Sequence, residues 1–157
     1  GYYGDHARTF SIGTVDAGKQ KLMDVTRESL MKGIEQALPG NYVGDIGNAV
    51  QTCAESNGFS VVRELVGHGI GRALHEEPQI PNYGKAKQGY KLRSGMCIAI
   101  EPMINAGKAA VKLLPDQWTV VTKDRQLTAQ WEHTMLVTES GYEILTYRHD
   151  DDIPRCG

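Results

Sequence analysis

Between Asp16 and Leu38 the apolar residues Leu22, Val25, Leu30, Ile34 and Leu38 recur every three to five positions, the spacing that gathers side chains on one helical face. The pattern predicts an amphipathic helix stopped by Pro39 and Gly40. A second set, Ile46, Ala49, Val50, Cys53 and Ala54, predicts a helix capped by Asp45 and ended by Asn57 and Gly58. Residues 2–12 and 59–65 carry β-formers and read as strands. After Pro81 the helical period vanishes, and residues 78–95, with proline, glycine, asparagine and lysine in no repeating order, read as a long surface loop. Further strands are expected at 96–104, 117–123, 127–138 and 142–147, separated by "NAGK", "KDRQ" and "ESG". Helices first and strands afterwards predict an α+β fold, with helices on one face of a mainly antiparallel sheet.

Composition narrows the class without naming a partner. The 157 residues are one domain's worth and contain no internal repeat or linker. Lys and Arg number 17 against 19 Asp and Glu, mixed along the chain, so no basic stripe offers itself to a phosphate backbone and no nucleic-acid signature is present. No apolar run reaches membrane-spanning length. Three scattered cysteines, Cys53, Cys97 and Cys156, form no C-x-x-C pair and fit a reducing compartment, so a cytoplasmic location is expected. The chain starts at Gly1, already inside a strand-like pattern, and reads as part of something longer.

Two acids sit where charge is expensive. In "GMCIAIEPMIN" Glu101 interrupts an apolar strand, and in "LTAQWEHTMLV" Glu132 does the same. A lone carboxylate there loses hydration and is driven neutral unless something positive compensates it. For one such acid a buried hydrogen bond is the ordinary explanation. Two of them, with few bases nearby in sequence, point to a shared cation.

The stretch "GHGIGRALHEEP" adds His68 and His75, seven residues apart and therefore not the i, i+4 pair of a zinc-protease helix. Gly67, Gly69 and Gly71 surround His68, which predicts unusual φ values or close approach of backbone to a ligand. His6, His133 and His149 lack such a setting and read as structural or solvated, with His133 turned to the face opposite Glu132.

These segments, with "WTVVTKDRQLTAQWEHTMLVTESGYEILT" and the opening "GDHARTFSIG", resemble the bacterial type I methionine aminopeptidases of the pita-bread fold, in order and along nearly the whole chain. The resemblance implies an incomplete pita-bread domain, residues 1–157 forming its C-terminal portion. It implies a site for two divalent ions, Co, Mn, Fe or Zn, with Asp5, His68, Glu101 and Glu132 as metal ligands and a further aspartate ligand upstream of Gly1. Glu101 also becomes the proton shuttle and His75 a catalytic, substrate-contacting residue. Leu74 and Trp118 match positions near the methionine pocket, and Thr128 a position linked to a monovalent cation in some members.

The implied reaction is removal of the N-terminal methionine from peptides and nascent chains when the next residue is small. The implied enzyme is a monomer when complete and meets its substrates as they leave the ribosome. Two other readings are a proline-specific aminopeptidase of the same fold and a non-catalytic pita-bread binding module. Cleavage of Met-Ala against Xaa-Pro peptides separates the first, and metal content the second.

Overall fold

The computed structural model describes residues 1–147; His149 and Cys156 lie outside them. Its axis is the ten-residue strand β9, Thr128–Val137. One edge of β9 takes β5 (Cys97–Ile100) and β6 (Met103–Asn105), and the other takes β1 (His6–Arg8) and β10 (Tyr142–Ile144), all antiparallel. Beyond β5 lie β3 (Gly67–Gly69) and then β4 (Glu76–Ile80), and beyond β6 lies β2 (Ser60–Val61). A separate hairpin joins β7 (Val111–Leu113) to β8 (Val120–Thr122).

Two helices back the sheet. In α1 (Ala17–Ile34) the Asp16 carboxylate caps the start by accepting from the Lys19 N–H at 2.9 Å. The helix ends four residues before Leu38, because the chain turns tightly after Ile34 and spends Ala37 on the core. Helix α2 (Val43–Ser56) begins two residues before Asp45. Asp45 is not the cap residue: one oxygen reaches back to the Tyr42 N–H at 2.7 Å and the other takes the Lys87 N–H at 2.8 Å. The acid thereby fastens the long loop to the helix as well as closing its first turn.

Leu30, Ile34, Ile46, Ile98, Ile100, Trp131 and Met135 form the main core cluster. Since strand side chains alternate, Ile98 and Ile100 on β5 and Trp131 and Met135 on β9 define the face turned to the helices. Ala99, Glu132 and Thr134 therefore belong to the other face. The α+β layout with one helix-covered face agrees with the sequence pattern.

The boundaries differ in instructive places. The strand expected at 96–104 is two strands, parted at Glu101–Pro102, where proline has no N–H for the ladder. Of 2–12 only His6–Arg8 pairs, leaving Phe10 and Ile12 exposed. Residues 76–80 form β4, so the expected loop starts only after Ile80. β3 and β7 were not predicted at all.

Candidate metal centre

The register of the sheet builds the site. His68 on β3 lies opposite Ala99 on β5, and Ala99 opposite Thr134 on β9. Asp5, just before β1, is hydrogen-bonded to Thr134. A row thus crosses the sheet from His68 to Asp5, on the face away from the helices, with two short side chains between. Glu101, just past the end of β5, and Glu132 on β9 each lie two residues from that row, on the same face. The short centre and the longer ends form a shallow bowl lined by one imidazole and three carboxylates.

Distances agree. Nε2 of His68 is 3.6 Å from a Glu101 oxygen and 3.8 Å from an Asp5 oxygen. Donor atoms of His68, Glu101 and Glu132 lie within 4.8 Å of one another, as do those of Asp5, His68 and His75. Nδ1 of His68 is 2.9 Å from the Gly69 carbonyl. That oxygen only accepts, so Nδ1 carries the hydrogen and the Nε2 lone pair faces the carboxylates, the form in which imidazole binds a metal.

Electrostatics show what the cluster lacks. Burial, with the Asp5 carboxylate beside it, pushes the Glu101 carboxyl up to about 7. Burial and then the charges of Glu101 and Asp5 push Glu132 up to about 8. Glu132 is only 4% exposed, and its Oε1 has no hydrogen-bond partner. Mutually repelling acids around a free imidazole nitrogen are the surroundings a divalent cation relieves. Three carboxylates and one nitrogen suit Mn, Fe, Co or Zn, and the absence of thiolate argues against a closed structural zinc site. The residues fit the ion.

The glycines act differently from the expectation of unusual φ. None of Gly67, Gly69 and Gly71 has positive φ. A Cβ on Gly67 would run into the Ala99 carbonyl, and one on Gly69 into the Glu77 carbonyl. Glycine is needed for close strand approach beside a register shift between His68 and Gly69. At Gly71 a Cβ would meet only the flexible Glu76 carboxylate, at 3.2 Å. Gly69→Ala is therefore expected to lower stability by about 3 kcal/mol, and Gly71→Ala by much less. Thermal unfolding of the two variants checks this, and equal losses would refute it.

His75 is exposed, and its ring meets the His68 ring edge-on at 4.4 Å between centroids, at the mouth of the bowl. Leu74, beside it, is partly exposed. Trp118 and Thr128 stand apart from the cluster. Trp118 is 87% exposed in the turn between β7 and β8. Thr128 opens β9, four residues from Glu132, with its hydroxyl donating to the Ile104 carbonyl at 3.1 Å. His133 packs on the opposite face, its ring 4.9 Å from that of His6.

Three polar residues of the site escaped the sequence reading. The Gln130 side-chain amide donates to Glu101 at 3.1 Å, and fully buried Asn82 donates to the Glu101 carbonyl at 3.2 Å. Thr134 is the third. Gln130 and Thr134 are marked only by falling at i−2 and i+2 from Glu132, the positions that share its face.

A bowl of one imidazole and three acids on an antiparallel sheet is a candidate site for a divalent ion, and residues 1–139 match metallopeptidase family M24. The chain belongs to that family. It is 56% identical over 146 residues to methionine aminopeptidase B of Synechocystis sp., covering 93% of this chain and 53% of that protein. The crystal structure of methionine aminopeptidase from Rickettsia prowazekii superposes with a TM-score of 0.91 at 48% identity, over 93% of this chain and 59% of that one. A prolidase from Pyrococcus horikoshii OT3, at 24% identity and a TM-score of 0.73, shares the fold. The chain spans little more than half the length of the methionine aminopeptidases it matches.

Proposed function

We propose that the chain supplies most of the catalytic centre of a methionine aminopeptidase, removing N-terminal methionine when the following residue is small. The observation that carries this is the convergence of Asp5, His68, Glu101 and Glu132 in a bowl short of positive charge. The identity to methionine aminopeptidases, about twice that to the prolidase, supports the methionine branch.

Divalent ions in such a site supply Lewis acidity and lower the pKa of water towards about 7. The chain's own groups do the rest. The Glu101 carboxylate accepts a proton from water and returns it to the departing amine. Gln130 and Asn82 hold that glutamate from its side chain and its backbone. His75, at the rim, donates to the oxygen of the attacked carbonyl. Leu74 beside it borders the pocket that takes the methionine side chain. The four ligands present hold one ion strongly, and a second ion needs a further carboxylate from the segment that the relatives carry before this stretch. The substrates are N-terminal methionyl peptides and nascent chains, met in the cytoplasm.

A chain extended upstream to the length of its relatives is expected to cleave Met-Ala-Ser and to leave Ala-Pro peptides intact. Release of free methionine, followed by chromatography, checks this. Preference for the proline peptide would transfer the chain to the proline-specific branch.

A further inference from the structure

One edge of β9 changes hands at Thr134. Up to His133 it is paired by β1, and from Met135 onward by β10. At the junction the Thr134 backbone is taken from the β10 side: its N–H donates to the Thr146 hydroxyl at 3.0 Å, and its carbonyl accepts from the Leu145 N–H at 2.9 Å. Nothing in the backbone of β9 is then left for Asp5, the next residue out along β1. The Thr134 side chain serves instead. Its hydroxyl accepts from the Asp5 N–H at 2.8 Å and donates to the Asp5 carbonyl at 2.8 Å.

A single hydroxyl using both its donor and its acceptor capacity on one residue fixes that residue's backbone from two sides. Thr134 is buried, 2% exposed, so water does not compete for either bond. The chain is also held on either side of Asp5, by the Tyr3 N–H donating to the Gly71 carbonyl at 2.8 Å and by the pairing of His6 with His133. Residues 1–4 are exposed, and among the described residues the Asp5 carboxylate receives a hydrogen bond only from the His6 N–H, at 3.0 Å. Among the described residues the Thr134 hydroxyl alone grips the N–H and the carbonyl of Asp5 itself, the backbone from which Oδ2 is aimed towards His68 Nε2, 3.8 Å away.

We infer that Thr134 is a positioning residue for the metal centre, its hydroxyl locking the Asp5 backbone so that the Asp5 carboxylate reaches the ion held by His68, Glu101 and Glu132. This rests on the metal reading of the site. It adds a residue that touches neither ion nor substrate, placed in the floor of the bowl between its two outer ligands. A valine there keeps the shape and loses both bonds, whereas a serine keeps them.

The test measures divalent-ion affinity by calorimetry with Mn, at a temperature where circular dichroism shows every variant folded, together with amide hydrogen exchange at Asp5. Thr134→Val is expected to weaken Mn binding about 10–100-fold, the usual effect of losing a group that orients a ligand, and to speed exchange at the Asp5 amide. Thr134→Ser should return both towards wild type. Wild-type affinity in Thr134→Val, or serine no better than valine, would overturn the proposal. So would a wild-type Asp5 amide exchanging as fast as that of exposed Tyr2, a reading that needs no variant to fold. Were the wild-type chain to bind no Mn, the metal reading would fall, and exchange at Asp5 in wild type and variants would still decide whether Thr134 fixes that residue.

Discussion

Titrated with Mn or Co at pH 8, the chain is expected to take up one divalent ion strongly, and His68→Ala to weaken that site more than the roughly 10–100-fold that losing a supporting residue costs. His68 contributes the one nitrogen whose lone pair faces the acids, so removing it leaves carboxylates alone. The ion should also cancel the pH dependence of stability. With their pKa values raised to about 7 and about 8, Glu101 and Glu132 hold protons more tightly in the fold than in the unfolded chain. Their contribution is present below the ordinary carboxylate range and is lost as pH rises through 7 to 8. Between pH 5 and pH 8 the metal-free fold should lose on the order of 4 kcal/mol, or about 10 °C in Tm. Saturation at a thousand times Kd restores about 4 kcal/mol at pH 8. Thermal unfolding with and without chelator, at both pH values, checks the sign. Metal-free stability that rises between pH 5 and pH 8, or two strong sites with full turnover, would show that the acids or the proposed need for a further carboxylate have been misread.

The features legible in the sequence were those that violate a local pattern. Glu101 and Glu132 break apolar strands, and His68 stands among glycines; the structure brings all three together with Asp5. Features that depend on long-range register were invisible. β3 has only Gly67, His68 and Gly69, too few and too small to show alternation, and becomes a strand because β4 and β5 lie on either side of it. Thr134 looks like any β-former until the edge of β9 passes from β1 to β10 beside it. The reason for the glycines was likewise not local: the carbonyls of Ala99 and Glu77 that exclude a Cβ lie 32 and 8 residues from Gly67 and Gly69. The helix limits erred where side chains were used for something other than a cap, as with Asp45 and the loop at Lys87.

Glu101→Gln is expected to lower kcat on Met-Ala-Ser by about 10³-fold, within the range typical of losing a positioned general base, in a chain extended upstream to the length of its relatives. The change removes one titrating oxygen and little else. The backbone contact from Asn82 is untouched, and the new amide can still meet the Gln130 side chain, either amide donating to the other. Because the fold disfavours charge at this position, the metal-free variant should melt no lower than wild type at pH 8, and higher if the repulsion with Asp5 and Glu132 is felt. This separates a catalytic role from a structural one, since a residue that merely supported the strand break at Pro102 would lose stability along with activity. Metal affinity should fall too, because Glu101 has a double duty as ligand and shuttle, so kcat is to be measured at saturating Mn. A variant that keeps near-normal kcat under those conditions would remove Glu101 from the proton pathway and leave it a ligand alone.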